Sequence, residues 1–237
     1  MLNYYDAINR NYNKSHLKPD KQYSMLPTIL RIAMPLKNKV VIDVGCGDGF
    51  FSNYFSEKAK KVYGIDNSIE QIKIAKKKNP NIEFIFGDML EIDYPKSDII
   101  NAPFVLCYIK EDELNILFKK FYDSLNKKGK ILGLIDYPKR SIHDNKKFGS
   151  IKRIVGTELK EGSEMIVDLY NGEEKIVSLH SYYHTKETIE KTLNKCGFSN
   201  IRWHKPVISK EGVKKYGRYF WAEYLKDCDV VYFSAVK

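Results

Sequence analysis

The sequence predicts an α/β fold in which a mainly parallel sheet carries helices on both faces. Over residues 37–136, short apolar runs alternate with amphipathic stretches, and this alternation is typical of strands that are joined by crossover helices. The first apolar run, within Lys39–Val44, passes directly into a glycine-rich turn that opens the next helix. A strand, a tight turn and a helix in this order form the repeating unit of such a sheet.

Five strands and three helices are predicted in this first part of the chain. Ser68 is expected to cap the second helix, because a serine side chain accepts a hydrogen bond from a first-turn amide. The Lys-Lys-Gly sequence at residues 127–129 is a stop signal for the third helix. In chain order, the strands are Lys39–Val44, Lys61–Ile65, Asn81–Phe86, Asp98–Leu106 and Lys130–Asp136, and the helices are Phe50–Lys58, Ser68–Lys77 and Glu111–Asn126.

The pattern changes between Tyr137 and Tyr183, where glycine, charge and two-residue alternation predict an antiparallel insertion. Asn171-Gly172 is a hairpin signal, because both residues tolerate a positive φ. The strand and helix pattern then returns and continues to the end of the chain. The predicted elements are strands Ile151–Thr157, Met165–Tyr170 and Lys175–Tyr182, helix Lys186–Cys196, strand Ile201–Lys205, helix Glu211–Lys226 and strand Val230–Val236.

Composition excludes several classes of protein. The net charge of the 237 residues is +10, but the basic excess is spread over both halves, which disfavours nucleic-acid binding. No run approaches the roughly 18 apolar residues of a membrane-spanning helix, and the first residues lack the pattern of a secretory signal. The four cysteines are widely spaced, which argues against a disulfide framework or a zinc site. A cytoplasmic globular protein is therefore expected.

The turn after the first strand carries the most information about function. It contains Asp43, Gly45, Gly47 and Gly49. Glycines let the chain turn sharply and bring backbone N–H groups close to a ligand. Dinucleotide enzymes use a related pattern, but Asp43 would repel a pyrophosphate and attract an ammonium or sulfonium group.

Two further acidic residues follow the next two strands. Asp66 ends the second strand, where a carboxylate can accept hydrogen bonds from both ribose hydroxyls of a nucleoside cofactor. Asp88 follows the third strand, where it could bind an adenine amino group while Met89 packs on the ring. Either carboxylate could instead cap the following helix. Three acidic residues at the ends of three successive strands nevertheless favour a shared binding site.

These residues resemble the class I S-adenosylmethionine-dependent methyltransferases, over Val41–Gly49, Gly64–Ser68, Gly87–Met89 and Asp98–Tyr108. The resemblance implies a Rossmann-like sheet of seven mostly parallel strands, with Val230–Val236 as an antiparallel last strand. It also implies S-adenosylmethionine as the cofactor, without a metal. The cofactor-binding residues that it implies are Asp43, Gly45, Cys46 and Gly47 for the methionine part, Asp66, Asn67 and Gln71 for the ribose, Asp88 and Met89 for the adenine, and Ala102.

Two short segments near the ends of the sequence, Tyr5–Tyr12 and Glu211–Trp221, are similar to methyltransferases of the toxoflavin-biosynthesis type, which act on nitrogen atoms of a flat heteroaromatic ring. In such enzymes the N-terminal segment closes over the cofactor, so the resemblance implies that Tyr12 and Tyr23 contact it. Both could instead be packing residues. The implied organisation is a single domain with N-terminal lid helices at 1–36, a cofactor-binding half at 37–136, the insertion at 137–183, and the last helices and two strands at 184–237.

Methyl transfer from a sulfonium depends mainly on alignment, because orientation and desolvation supply most of the acceleration of an in-line displacement. Aromatic residues after the fourth and fifth strands and in the insertion suit a small aromatic or heteroaromatic acceptor, methylated on nitrogen or oxygen. No single catalytic residue is predicted; His180 and His184 are candidate bases or structural hydrogen-bonding residues. The candidate acceptor-binding residues are Phe104, Tyr108, Asp136, Tyr137, His180 and Tyr183.

The sequence leaves several alternatives open. The chain could be an RNA or protein methyltransferase, or a cofactor-binding regulator without activity. The insertion could cover the substrate, or its added antiparallel edge could form an interface. A monomer and a homodimer are accordingly both compatible with the sequence.

Overall fold

The structure is a computed structural model that describes residue 13 and residues 18–237. Within these residues there are six α-helices, and eleven strands form two sheets. A π-helical stretch, Lys21–Met25, leads directly into the first of these helices. The strands are β1 Val40–Val44, β2 Lys61–Asp66, β3 Glu83–Phe86, β4 Ser97–Pro103, β5 Leu125–Asp136, β6 Ile142–Asn145, β7 Ser150–Ile154, β8 Glu164–Asn171, β9 Glu174–Tyr182, β10 Ser199–His204 and β11 Val230–Val236, and the helices are α1 Leu26–Ala33, α2 Phe50–Ser56, α3 Ile69–Lys78, α4 Glu111–Ser124, α5 Lys186–Lys195 and α6 Lys210–Lys226.

The larger sheet has seven strands in the order β10-β11-β5-β4-β1-β2-β3. Strands β1 to β5 are parallel, and β11 is antiparallel to both of its neighbours. The predicted mostly parallel sheet with an antiparallel last strand is therefore confirmed. The strand order reverses between β1 and β4, and in sheets of this type a crevice opens there, outside the carboxyl ends of the strands.

Helices cover both faces of the larger sheet because alternate residues of β1 point to opposite sides. Val41 packs in one apolar cluster with Phe55 of α2 and Ile72 of α3. Its neighbour Ile42 packs in a second cluster with Phe118 of α4. A strand that is apolar on both faces has to lie at the centre of such a sheet, and β1 does.

The residues between β5 and α5 form a second, antiparallel sheet in the order β6-β7-β8-β9, as the insertion was predicted to do. The hairpin between β8 and β9 turns at Gly172, where φ is +60°. One face of this sheet forms an apolar cluster that includes Met165, Val167 and Leu179. Strand β6 was not predicted, because its four residues include three polar ones and it pairs with β7 alone.

Three predicted boundaries are wrong by three residues or more. Strand β4 ends at Pro103 instead of Leu106, because Phe104 adopts a left-handed φ of +57° and Leu106–Tyr108 form a 3₁₀ turn. Strand β5 begins at residue 125 instead of 130, and residues 126–129 form an irregularity in its pairing with β4. Strand β7 ends three residues earlier than predicted, at Ile154.

Helix α6 is interrupted at Gly217, whose φ and ψ of 83° and 162° are not helical. Within residue 13 and residues 18–237, no helix has both the length and the apolar character needed to cross a lipid bilayer.

Candidate functional site

A cavity of about 390 Å³ opens at the carboxyl ends of the central strands. Its volume lies within the roughly 300–1,000 Å³ of small-molecule sites. The turn after β1, the start of α3 and the segment after β4 form its walls. The lining residues are Val44, Gly45, Gly47, Ile65, Asp66, Asn67, Gln71, Gly87, Met89, Pro103, Phe104, Val105, Tyr108 and His180.

Two glycines of the turn have positive φ but differ in the space around them. Gly45 has a φ of +64°, and a Cβ atom there would lie 2.3 Å from Val105 Cγ1. Gly47 has a φ of +54°, but a Cβ atom there would meet nothing within 4 Å. Gly45 therefore allows the turn to approach the segment after β4, whereas Gly47 leaves open space at the edge of the cavity.

Asp66 connects the glycine turn to the start of α3. Its Oδ2 accepts a hydrogen bond from the Gly47 amide at 2.8 Å, and its Oδ1 accepts one from the Ser68 amide at 2.9 Å. A carboxylate offers about four acceptor positions. Asp66 can therefore hold both backbone segments and still accept hydrogen bonds from a ligand in the cavity that it lines.

Gln71 is a polar residue of the cavity wall. The side chain is buried, and within the described residues neither Oε1 nor Nε2 has a hydrogen-bond partner. Leaving a buried polar group without a partner costs about 1–3 kcal/mol. Because Gln71 lines the cavity, a bound ligand with both donors and acceptors would satisfy both atoms.

Asp43 lies beneath the turn and is fully buried. Its Oδ2 accepts a hydrogen bond from Ser52 Oγ at 2.6 Å, and its Oδ1 accepts one from Asn101 Nδ2 at 2.8 Å. Burial raises the pKa of Asp43 to about 6, although both hydrogen bonds act to lower it. The carboxyl group thus links β1 to α2 and β4, and it is not among the residues that line the cavity.

Of the remaining predicted cofactor residues, some line the cavity and others lie elsewhere. Met89 lines the cavity. Asp88 is exposed, and its Oδ1 accepts a hydrogen bond from the Leu90 amide at 2.8 Å within a turn. The next element in the chain is strand β4, so the alternative that Asp88 caps a helix is wrong. Cys46 and Ala102 are buried in the apolar core.

Tyr23, one of the two predicted lid tyrosines, is not among the residues that line the cavity. Tyr23 packs against α6, with its ring centroid 5.8 Å from that of Tyr216 and 6.5 Å from that of Trp221. Tyr12 lies outside the described residues, so its predicted contact with the cofactor stays a prediction.

Of the predicted acceptor residues, the cavity brings together Phe104, Tyr108 and His180. Tyr137 and Tyr183 are not among its lining residues and pack on each other, with ring centroids 5.4 Å apart. Phe104 has the left-handed backbone that is uncommon for a residue with a bulky side chain, and such strain is often found at binding sites.

His184 is held by hydrogen bonds on both ring nitrogens. Nδ1 lies 2.6 Å from Glu161 Oε1, and Nε2 lies within 3.1 Å of the carbonyl oxygens of Leu106 and Ile109. Glu161 belongs to the insertion, and Leu106 begins the 3₁₀ turn. His184 therefore acts as a link between the insertion and the 3₁₀ turn that carries Tyr108.

A second, smaller cleft of about 50 Å³ lies between β5 and the insertion sheet. Phe104 and Tyr108 line both this cleft and the larger cavity. Asp136, the predicted acceptor residue at the end of β5, also lines it. The other lining residues are Lys18, Asp20, Lys21, Met25, Ser150, Lys152, Val167, Leu169, Leu179 and Val230.

Sequence reasoning missed Lys152 and Asp229. Lys152 Nζ is buried and lies 2.8 Å from both Asp136 Oδ1 and Asp229 Oδ2. Antiparallel pairing puts Val230 opposite Asp136. A correct β5–β11 register would therefore have placed Asp229 near Asp136, and two neighbouring carboxylates would have indicated a cation between them. Nothing in the sequence distinguishes Lys152 from the many other lysines.

Known proteins share the domain and fold described above. Residues 41–129 match the family described as "Methyltransferase domain". The malonyl-[acyl-carrier protein] O-methyltransferase of Hamiltonella defensa is 24% identical over 179 residues, which are 73% of this chain and 63% of that protein. Ribosomal RNA small subunit methyltransferase A of Mesomycoplasma hyopneumoniae is 42% identical over 92 residues, which are 36% of this chain and 33% of that enzyme.

A crystal structure of an S-adenosylmethionine dependent methyltransferase from Mesorhizobium loti aligns with a TM-score of 0.66. The alignment covers 94% of this chain and 100% of that one at 16% identity, which shows a shared fold. The chain spans less than two thirds of the length of both curated relatives. The domain match covers the glycine turn and Asp66.

Proposed function

We propose that this chain, whose residues 41–129 match the methyltransferase domain family, is a class I S-adenosylmethionine-dependent methyltransferase that methylates a nitrogen or oxygen atom of a small aromatic or heteroaromatic acceptor. The cofactor would occupy the larger cavity. Gly45 and Gly47 would lie along its methionine part, Asp66, Asn67 and Gln71 along its ribose, and Met89 beside its adenine.

The unsatisfied side chain of Gln71 is the observation that carries this proposal. The amide oxygen and nitrogen are buried beside Asp66 in one cavity, so the site offers acceptors and a donor to a ligand with hydroxyl groups. S-adenosylmethionine has these groups on its ribose. The apolar wall near Met89 suits a flat ring.

When bound, S-adenosylmethionine would supply a methyl group whose bond to sulfur breaks while its bond to the acceptor forms. An N–H or O–H acceptor also loses a proton. The chain's contribution would be alignment and exclusion of water, for which effective molarities of about 10⁵ M or more are available. Phe104 and Tyr108 would hold the acceptor in line, and His180 closes the same cavity from the insertion.

Calorimetric titration with S-adenosylhomocysteine, run beside NAD, tests the cofactor. Micromolar binding of the first ligand and none of the second is expected. The Gln71→Leu variant should then bind more weakly, while Glu70→Gln on the same helix is the matched control. Tight binding of NAD, or no binding of S-adenosylhomocysteine by the folded chain, would contradict the proposal and favour another cofactor or an inactive regulator.

A small acceptor is favoured over RNA because four of the six predicted acceptor residues line the cavity or the cleft: Phe104, Tyr108, Asp136 and His180. The likeness to the ribosomal RNA enzyme covers 33% of its length, so it supports the cofactor rather than the acceptor. Incubation with labelled S-adenosylmethionine and either an aromatic amine and phenol panel or total RNA separates the two. The narrower resemblance to toxoflavin-type enzymes stays a prediction, since one of its segments, Tyr5–Tyr12, lies outside the described residues.

A further inference from the structure

The ring of His180 has no hydrogen-bond partner among the described residues, unlike the rings of the three other histidines found there. His143 Nδ1 accepts a hydrogen bond from a backbone amide at 3.1 Å, and His204 Nε2 lies 2.8 Å from Ser234 Oγ. Both ring nitrogens of His184 lie within 3.1 Å of oxygen atoms. Of the two candidate bases in the insertion and directly after it, His180 is therefore the one whose nitrogens are open to a ligand.

His180 lies at the end of the cavity where Phe104 and Tyr108 also lie. Successive residues of a strand point to opposite faces. On β9, Leu179 lines the smaller cleft and His180 lines the larger cavity. Phe104 and Tyr108 line both spaces, so the boundary between them runs past these two rings and the end of β9. His180 thus shares a wall with the two residues that are assigned to the acceptor.

Few side chains of the cavity suit proton transfer near neutral pH. Among its described lining residues, the titratable ones are Asp66, Tyr108 and His180. Asp66 already accepts hydrogen bonds from two backbone amides. A carboxylate ordinarily changes its charge well below pH 7 and a phenol well above it, whereas an imidazole does so between about pH 5 and 8. His180 is therefore the lining residue whose side-chain type suits a proton acceptor.

We propose that His180 is the general base of the methyl transfer and takes the proton that an N–H or O–H acceptor loses. This inference rests on the proposed function. The acceptor atom forms a bond to the methyl carbon, and the electron pair of the broken carbon–sulfur bond stays on sulfur. The proton moves to the lone pair of the imidazole, and the electron pair of the N–H or O–H bond stays on the acceptor atom. Because His180 is exposed, the proton can then pass to water.

Other titratable groups lie near His180 and have to be separated from it. Burial would raise the pKa of Asp168 on the neighbouring strand, but contacts with Lys175 and Arg153 lower it. A variant that removes only the imidazole is needed to assign a pH dependence to His180. The groups concerned are Asp66 and Tyr108 on the cavity wall, and Glu164, Asp168 and Tyr182 on the same face of the insertion sheet.

Phenol and anisole test the proposal, because they share an aromatic ring and only phenol has an O–H donor. Both stay uncharged between about pH 5 and 8. The reporter is the NMR signal of the His180 ring in the full chain with ¹³C-labelled histidine, identified by its loss in His180→Gln. Phenol should shift this signal and bind about threefold or more tighter at pH 8 than at pH 5, because only the neutral ring accepts a hydrogen bond. Anisole should not bind more tightly at pH 8.

Two variants assign this pH dependence. His180→Gln should remove it, whereas His204→Gln, which removes an imidazole from β10, should keep it. Tighter binding of phenol at pH 5 than at pH 8 would make the ring a donor and overturn the proposal. The same conclusion would follow if anisole behaved like phenol, if the His180 signal did not respond to phenol, or if His180→Gln kept the wild-type pH dependence.

Activity gives a second measurement. With a methylated member of the amine and phenol panel, the kcat of the wild type should fall toward pH 5. His180→Gln should lower kcat by roughly 10²-fold or more, because general base catalysis is lost, and its kcat should not depend on pH in this range. A wild-type kcat in His180→Gln would remove the assigned role.

The binding of S-adenosylhomocysteine separates this inference from the proposed function. His180→Gln should bind it as the wild type does, because the residues that are assigned to the cofactor are unchanged. If the wild type fails to bind S-adenosylhomocysteine, the proposed function fails. The comparison of phenol with anisole, repeated in the cofactor-free protein, still decides whether His180 accepts a hydrogen bond from an O–H group in the cavity.

Discussion

Asp66 Oδ2 accepts a hydrogen bond from the Gly47 amide at 2.8 Å, so the carboxylate at the end of β2 fixes the position of the turn after β1. Its second oxygen holds the Ser68 amide at the start of α3. One side chain therefore sets the spacing of two walls of the cavity. This contact explains why an acidic residue at that position can organise the site as well as bind a ligand.

Asp66→Ala should weaken the binding of S-adenosylhomocysteine by about 1–3 kcal/mol, because charge-assisted hydrogen bonds to the ribose and to the glycine turn are lost. Calorimetry on the purified variant measures this change. Asp123→Ala, which removes an exposed carboxylate from α4, is the control. An unchanged affinity for Asp66→Ala would refute the ribose assignment.

Gln71→Leu should keep or increase the free energy of unfolding while it weakens cofactor binding. Leucine fills a similar volume and removes two buried polar atoms that have no partner in the described residues. Urea unfolding and calorimetry on the same samples give the two numbers. A large loss of stability would show that Gln71 has a structural partner instead of a ligand.

Gly45→Ala should destabilise the protein more than Gly47→Ala. Both residues have positive φ, which costs an alanine about 1–2 kcal/mol. Only the Cβ of Gly45→Ala would also overlap Val105, at 2.3 Å, which adds about 1–3 kcal/mol. Equal unfolding free energies for the two variants would mean that Val105 moves away freely.

The contacts that Glu161 makes with His184 and the Thr185 amide should make stability depend on pH in the acid range. Burial pushes the pKa of Glu161 upward, but hydrogen bonds from His184 and the Thr185 amide lower it to about 2, below its ordinary 4.5. A lowered pKa means that the carboxylate stabilises the fold above about pH 4.5 and that this contribution disappears as the pH falls from 4.5 toward 2.

The difference in Tm between the wild type and Glu161→Gln should therefore be largest above pH 4.5 and shrink toward pH 2. Thermal unfolding followed by circular dichroism across this range measures the difference. The control is Glu158→Gln, which removes an exposed carboxylate that pairs with Lys160, and this variant should show no comparable trend. A constant difference from pH 6 to pH 2 would contradict the lowered pKa of Glu161.

Much of the fold follows from local patterns in the sequence. Alternating apolar runs and amphipathic stretches predict the parallel strands, and Asn171-Gly172 predicts the hairpin of the insertion. The boundaries at Phe104 and at residues 126–129 were mispredicted because a left-handed residue and a pairing irregularity depend on neighbouring strands. These are tertiary effects, and no local preference of the residues reveals them.

The candidate site, like the fold, could be predicted from the sequence only in part. The sequence by itself determined that Asp43, the glycines and Asp66 lie at the carboxyl ends of adjacent strands, because strand direction and turn chemistry are encoded over a few residues. Only the tertiary structure decided that Asp43 is buried against Ser52 and Asn101. It also decided that Lys152 joins Asp136 to Asp229. Contacts between residues distant in the chain depend on how the insertion packs against the sheet, and buried charges require partners wherever that packing places them.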